Sequence, residues 1–359
     1  RTHSLHRHRV MRIIADFHVH SKFSRATSRE STFENLFKAC RLKGVDVVGT
    51  GDFTHPEWFS EIEAMLEEAE PGLFKLKAEW ERRAEATLPH ACQGRVRFIL
   101  VTEISNIYKK EGRTRKNHNL VFMPDIESAR RLNARLASIG NVSSDGRPIL
   151  GLDARDLLEI VLETSTDAFL VPAHIWTPWF SMLGSKSGFD SIGECFGDLS
   201  HHVFAAETGL SSDPAMNWRV SSLDSICLIS NSDAHSPGNV GREANLFEAD
   251  LSYSSLRDAL KTRDPVNFKG TIEFFPEQGK YHLDGHRCCG VCLEPKETKR
   301  LAGNCPACGK PVTVGVLSRV EELADRPEGD RPDAAPFYHS LIPLTDILSE
   351  ILQAGPKTA

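Results

Sequence analysis

The sequence predicts an α/β protein: a closed or distorted barrel of about seven βα units, followed by a small cysteine-rich module and a short C-terminal helix. Three observations predict it. Across residues 11–278, short apolar runs of four to eight residues, rich in Val, Ile, Leu and Phe, alternate with amphipathic stretches. His, Asp or Glu recurs at the same end of those runs. Five of the nine cysteines are bunched between positions 288 and 308.

Taken in order, residues 1–10 are basic and irregular, with His3, His6 and His8, and read as a tag-like or mis-set leader ahead of Met11. Strands are expected at 12–17, 45–50, 96–103, 120–123, 168–172, 203–207 and 226–231, with helices over 32–43, 56–83, 154–163 and 254–263. Runs this short and this apolar fit parallel strands buried on both faces. A doubly wound sheet would want a glycine-rich phosphate turn after the first strand, and none is present. No G-x-x-x-x-G-K-[ST] occurs either, which argues against a P-loop motor. A boundary near 275–279 gives a barrel over 11–278 and a cysteine module over 279–325. The remainder, 326–359, is a Pro/Gly/charge-rich linker and the helix Leu344–Leu352.

The chain has 359 residues, 40% of them hydrophobic and 26% charged, an ordinary globular balance that leaves room for about two domains. No apolar run approaches the roughly 18 residues that span a bilayer, so no membrane role is expected. The net charge of −6 means that any nucleic-acid contact needs a local basic patch. Bunched cysteines without an apolar export leader read as metal ligands in a reducing cytoplasm.

The first strand ends Asp16-Phe17-His18-Val19-His20, and residues two apart share a face, so Asp16, His18 and His20 converge at its C-terminal end. Later runs end in Asp52 and His55, in Glu103, in His174, in Glu207, and in Asp233 and His235, while His118 opens the fourth. In barrels these strand ends build one site. Imidazoles and carboxylates buried together need a cation. A His/carboxylate set without thiolates suits two or three divalent metals, Zn²⁺, Mn²⁺ or Fe²⁺, with Mg²⁺ as an addition. Closely spaced metals stabilise the attacking and leaving oxygens of phosphoryl transfer, so hydrolysis of a phosphate ester is implied. Further on, Cys289-Gly-Val-Cys292 and Cys305-Pro-Ala-Cys308 form two C-x-x-C pairs twelve residues apart, the spacing of a structural zinc ribbon, with Cys288 as a non-ligand neighbour that could exchange with Cys289.

Between Glu103 and His118, Lys109, Lys110, Arg113, Arg115 and Lys116 stand against one acid, Glu111. A basic loop over a hydrolytic site attracts a polyanion. Trp176 and Trp179 follow His174, Lys186 and Ser187 lie in a G-S-K-S-G loop, and Asn217 and Trp218 close an E-T-G-L-S-S-D-P-A-M-N-W segment that begins at Glu207. Aromatics interleaved with cations suit stacking on a base and holding its phosphate. Glu207 is read as substrate-facing or as support for a ligand.

The His-x-His, the Gly-Asp-x-x-His, Glu103, His118, His174 and the Asp-Ala-His together resemble the polymerase-and-histidinol-phosphatase (PHP) superfamily. That resemblance implies a distorted (βα)7 barrel with His18, His20, Glu103 and Asp233 on a first metal. It implies Glu103 bridging to a second with His118 and His174, and a third on His235 and the Asp52/His55 loop. Many relatives carry adjacent Asp-His after the second strand and a further His after the first motif. This chain has Asp52-Phe53-Thr54-His55 and Lys22-Phe23-Ser24-Arg25, so its third site departs furthest from the pattern.

A closer resemblance covers Met11 to about Leu352. It rests on A-D-F-H-V-H-S-K-F-S-R-A, G-T-G-D-F-T-H-P-E-W, E-T-G-L-S-S-D-P-A-M-N-W, N-S-D-A-H-S-P, G-K-Y-H-L-D-G-H-R and R-V-E-E-L-A-D-R-P. These are similar to the endonuclease Q family, PHP-type DNA repair nucleases with an appended ribbon. The resemblance implies cleavage of DNA on the 5′ side of deaminated bases (uracil, hypoxanthine, xanthine) or abasic sites, with the damaged nucleotide flipped from the stack. His18, His20, Glu103 and Asp233 would carry the catalysis, and a sliding clamp is a further conceivable partner. Members usually continue beyond the Pro343-Leu344 segment, so a truncated C-terminus with weaker DNA binding is expected. The alternatives are a PHP-type phosphoesterase for a small phosphate ester or nucleotide, which would need neither ribbon nor basic loop, and a non-catalytic nucleic-acid-binding protein.

Overall fold

Where the sequence alternates apolar runs with amphipathic stretches, strands and helices do alternate, but the sheets are mixed rather than all parallel. The computed structural model describes residues 10–355; apart from Val10, the expected leader lies outside the described residues. In chain order the strands are β1 (Met11–Asp16), β2 (Val47–Gly49), β3 (Leu66–Glu70), β4 (Leu73–Leu76), β5 (Arg97–Ile99), β6 (Val101–Lys110), β7 (Arg113–Phe122) and β8 (Ile149–Leu150). They continue with β9 (Phe169–Pro172), β10 (Ala205–Glu207), β11 (Cys227–Ile229), β12 (Ala244–Ala249), β13 (Phe268–Glu273), β14 (Asp284–His286), β15 (Val291–Leu293) and β16 (Phe337–Ser340). The largest sheet runs β16-β13-β12-β1-β2-β5-β4-β3, a second runs β8-β6-β7-β9, and β10-β11 and β14-β15 are separate pairs. β1–β2, β2–β5 and β10–β11 pair in parallel, whereas β12 lies antiparallel to β1, with Met11 opposite Ala249.

Ile13, Val47, Ile99, Val101, Phe122, Val171, Ile229 and Phe247, drawn from eight different strands, meet in one buried cluster. The strands therefore surround a common apolar core. Within it Phe122 stacks on Phe169 with ring centroids 4.3 Å apart. A second apolar cluster seats the helices on the outside of the strands, where Phe33 stacks on Trp58 at 4.1 Å. Burial of such side chains is worth roughly 1.5–3 kcal/mol each.

Two further expectations change. The single helix over 56–83 is instead the helix Pro56–Met65, the hairpin β3–β4 and the helix Ala78–Glu85. Residues 66–70 offer no apolar stripe to continue a helix, while Leu73, Phe74 and Leu76 are buried from a strand. Pro71-Gly72, with Gly72 at φ 71°, turns the chain back. The basic stretch 108–116 is not a loop. It is the end of a ten-residue-per-strand hairpin, β6–β7, turned by Glu111-Gly112 at φ 51° and 73°. Two positive φ values suit a two-residue turn whose twist matches the strands.

β14–β15, the helix Pro295–Arg300 and the Cys305–Cys308 turn form a small unit. The helix Val316–Leu323 ties it to the main α/β body, because Arg319 donates from Nε to the Leu183 carbonyl at 3.0 Å. Among the described residues no helix is long and apolar enough to cross a membrane.

Candidate metal centre

The chain leaves β1 at Asp16, a buried residue whose Oδ1 and Oδ2 accept the N–H groups of Ser232 and Gly241 at 3.0 and 2.8 Å. Asn231 Oδ1 accepts the Phe17 N–H at 2.8 Å, and Val19 bridges Ala234 in parallel. These contacts lock 16–20 against 231–235 and set His18, His20 and Asp233 side by side. Asp16 is thus a backbone clamp rather than a ligand. Asp233, His174 and Asp52 all adopt positive φ, 45°, 30° and 46°. Backbone conformations of this cost for non-glycine residues cluster at functional sites.

Glu103 joins two groups. Its Oε2 lies 3.2 Å from His20 Nε2 and 3.5 Å from His18 Nε2, and Asp233 Oδ1 lies 3.2 and 3.4 Å from the same two atoms. Its Oε1 lies 2.7 Å from His118 Nδ1 and 3.2 Å from His174 Nε2. One atom each from His18, His20 and Asp233, and one each from Glu103, His118 and His174, lie within 4.8 Å of one another inside each group. His18 Nε2, His20 Nε2 and Asp233 Oδ1 are buried without a hydrogen-bond partner. Orphaned polar atoms converging on one point are what a cation would satisfy, so the donor set fits divalent metals.

The surroundings tune these rings. Glu207 accepts from His18 Nδ1 at 3.0 Å and from the His174 backbone N–H at 2.8 Å. Asp52 Oδ1 accepts from His20 Nδ1 at 3.0 Å. Carboxylates behind ligating imidazoles fix tautomer and orientation. Burial opposes charge on His18, but Glu207, Asp233 and Glu103 together hold its pKa well above the ordinary range. Burial drives His118 the other way, to about 4. Glu103 resists its own burial because His118, Arg147 and His18 keep it well below the usual carboxylate range.

The expected third group does not form among the described residues. Asp52 is spent on His20, on the Ser21 N–H and hydroxyl, and on Ser24. His55 stacks on Phe23 at 4.4 Å and donates from Nε2 to the Ser143 carbonyl at 3.1 Å. His235 turns Nδ1 to the Asp233 carbonyl at 2.9 Å. In the ribbon, His286 stands with Cys289, Cys305 and Cys308, and Cys292 is outside the group. The cause is local. Gly290 at φ 64° reverses the chain after Cys289, and Cys292 enters strand β15 opposite Gly285, next to His286. Cys308 Sγ lies 3.5 Å from His286 Nδ1. The H-x-x-C from His286 to Cys289 was the signal that the cysteine spacing masked.

Of the expected substrate residues, several are structural. Trp176 is 1% exposed and donates from Nε1 to Asn217 Oδ1 at 2.7 Å, which buries both. Ser187 is buried and accepts the Phe180 N–H at 3.2 Å. Arg115 is buried over the Phe189 ring at 4.1 Å. Lys110 donates to the Cys195 carbonyl at 3.2 Å. Glu207 is 1% exposed and faces His18, not solvent. Trp218 is half-buried, with Tyr338 5.7 Å away and Arg331 over its ring. Lys109, Arg113, Lys186 and Trp179 are exposed, and half-buried Lys116 lies over Phe180, which itself packs on His118 at 4.8 Å. The sequence reading missed Arg147, whose Nη1 is 3.0 Å from Glu103 Oε2, because it sits in a loop with no motif.

No family model matches the chain. In structure it is similar to the lesion-specific endonuclease PfuEndoQ from Pyrococcus furiosus, at 31% identity and TM-score 0.81, over 97% of this chain and 80% of that one. It is similar also to endonuclease Q in complex with a 27-mer duplex carrying an abasic lesion at the active site, at 30% identity and TM-score 0.82, over 97% and 81% of the two chains. Among curated relatives, the uncharacterized protein YqxK of Bacillus subtilis is 31% identical over 97% of this chain and 85% of its own length. An uncharacterized protein of Methanocaldococcus jannaschii is 35% identical over 51% of this chain, a match that spans 23% of that relative.

Proposed function

The chain belongs to the endonuclease Q family, and from that premise we propose that it is a metal-dependent endodeoxyribonuclease that nicks DNA on the 5′ side of deaminated bases or abasic sites. The observation that carries the reading is Glu103, whose two carboxylate oxygens serve two ligand groups at once. His18, His20, Glu103 and Asp233 would hold one divalent cation, and Glu103, His118 and His174 a second. The reading rests on these two groups, whose side chains lie together. Cations bound there supply water of lowered pKa and neutralise charge on the phosphate. A water oxygen attacks phosphorus, the P–O3′ bond breaks, and the 3′-oxygen leaves with a proton. Glu207 and Asp52 keep His18 and His20 aimed while this happens. Lys109, Arg113, Lys116 and Lys186 hold the backbone of the duplex, and exposed Trp179 offers its ring to an unstacked base. His286, Cys289, Cys305 and Cys308 would hold a structural zinc in the C-terminal module.

The test is a nicking assay on labelled duplexes carrying one uracil, hypoxanthine, abasic site or no lesion, with Mg²⁺, Mn²⁺ or Zn²⁺. A single lesion-dependent nick on the 5′ side, absent in H18A and D233A, is the expected result. No nick on any duplex, with p-nitrophenyl phosphate or a nucleotide still hydrolysed, would replace this reading by a small-substrate phosphoesterase.

A further inference from the structure

Arg147 is placed by a loop built to place it. Asp145 Oδ1 accepts the N–H groups of Arg25 and of Arg147 itself, both at 3.1 Å. Gly146 N–H donates to the Phe23 carbonyl at 3.0 Å, and the Pro148 carbonyl accepts the Ser105 N–H at 3.0 Å. His55 holds the Ser143 carbonyl. Gly146 passes so close to Asp52 and Ser24 that any Cβ there would collide with the Asp52 carboxylate and the Ser24 hydroxyl. The loop is thereby pinned to the segment that follows the His18/His20 motif, and it delivers one guanidinium to the bridging carboxylate. Arg147 uses only Nη1 on Glu103; among the described residues its Nε and Nη2 have no hydrogen-bond partner. Its side chain is 25% exposed against 1% for Glu103, so the unused edge faces outward.

A guanidinium that served only to neutralise Glu103 would engage it with both prongs of its fork. Here one prong is spent and the other is left. A fixed positive charge beside a metal-holding carboxylate also opposes cation binding. The arrangement makes sense once an anion joins the site. We propose that Arg147 is a catalytic residue whose free edge binds a non-bridging oxygen of the scissile phosphodiester and stabilises the charge that grows there as the P–O3′ bond breaks. Arg147 neither gives nor takes a proton in that step. The inference rests on the nuclease reading for its substrate, but it needs only a phosphodiester.

The experiment compares the wild-type chain with R147K and R147A. Metal content per chain, affinity for an abasic duplex in EDTA, single-turnover nicking, and hydrolysis of bis(p-nitrophenyl) phosphate are measured, with thermal melting as the control for folding. Expected are unchanged or slightly higher metal content, affinity within about threefold, and rates lower by about 10²–10³-fold in R147A, the size of losing one transition-state donor. Added guanidinium should partly restore R147A, and R147K should fall between. Rates within threefold of wild type would overturn the proposal. So would a fall in metal content that tracks the fall in rate, since Arg147 would then only position Glu103. A wild-type chain that hydrolyses the small diester but nicks no duplex would sink the nuclease reading alone, and Arg147 would be judged on the diester rates.

Discussion

Glu207 Oε1 lies 3.0 Å from His18 Nδ1, and that contact leaves Nε2 of the same ring facing Glu103 and Asp233. A carboxylate behind a ligating imidazole sets which nitrogen carries the proton and strengthens the ligand. Asn231 Nδ2 holds the same Glu207 oxygen at 2.8 Å, so the carboxylate cannot swing away. E207Q keeps the shape and loses the charge. It should bind Mn²⁺ and nick about 10–100-fold less well without unfolding. Equilibrium dialysis and the nicking rate would show it; unchanged metal affinity would mean that His18 needs no such support.

In the cysteine module, His286 and Cys292 exchange the places that the sequence spacing gives them. H286A should lose the module's zinc and melt earlier, whereas C292S should keep about one zinc per chain, because Cys292 stands outside the ligand group. Zinc release on thiol titration, read with a chromogenic chelator, distinguishes them. Loss of zinc from C292S with retention in H286A would restore the four-cysteine arrangement.

What was legible in the sequence follows from range. That His18, His20, Glu103, His118, His174 and Asp233 come together was legible because His, Asp and Glu recur at the ends of the apolar runs, and the fold brings those ends to one place. Arg147 could not, since it depends on a loop pinned by Asp145, Gly146 and Pro148 to partners more than forty residues away in the chain. Cys292 falls outside the group that holds His286, Cys289, Cys305 and Cys308, because spacing alone does not say which side of a turn a strand begins on. The 108–116 run was mistaken for a loop because charge outvoted the Glu111-Gly112 turn signal. Arg115 and Ser187 looked like substrate contacts and proved to be the stitching between that hairpin and the loop beyond Phe180.

Two tryptophans five residues or fewer past His174 should behave in opposite ways. Trp176 is buried with its indole N–H on Asn217, so W176A should cost about 3–5 kcal/mol and show as a large fall in Tm. Trp179 is 40% exposed, with Tyr281 6.3 Å away, so W179A should leave Tm nearly unchanged and weaken binding of a lesion duplex by about 1–3 kcal/mol. Fluorescence anisotropy with a labelled abasic duplex supplies the second number. A W179A variant that binds as tightly as wild type would remove Trp179 from the DNA surface.

Behind the site, Glu273 is fully buried, and Thr208 and Ser230 donate their hydroxyls to its Oε2, both at 3.1 Å. Burial pushes its pKa up from an ordinary 4.5 to about 8, and buried Glu243, raised by its own burial and by Glu273, titrates with it. The folded chain then keeps a proton that the unfolded chain has lost anywhere between those two values. Stability from this group is therefore fully present below about pH 4.5, falls as pH rises towards 8, and levels off above it. E273Q is neutral at every pH and should lose that slope. The melting temperature of E273Q relative to wild type should therefore rise as pH goes from 5 to 9. Parallel curves across that range would mean that Glu273 is ionised in the fold, with the three hydroxyls of Thr208, Ser230 and Thr271 sufficing to hold the charge.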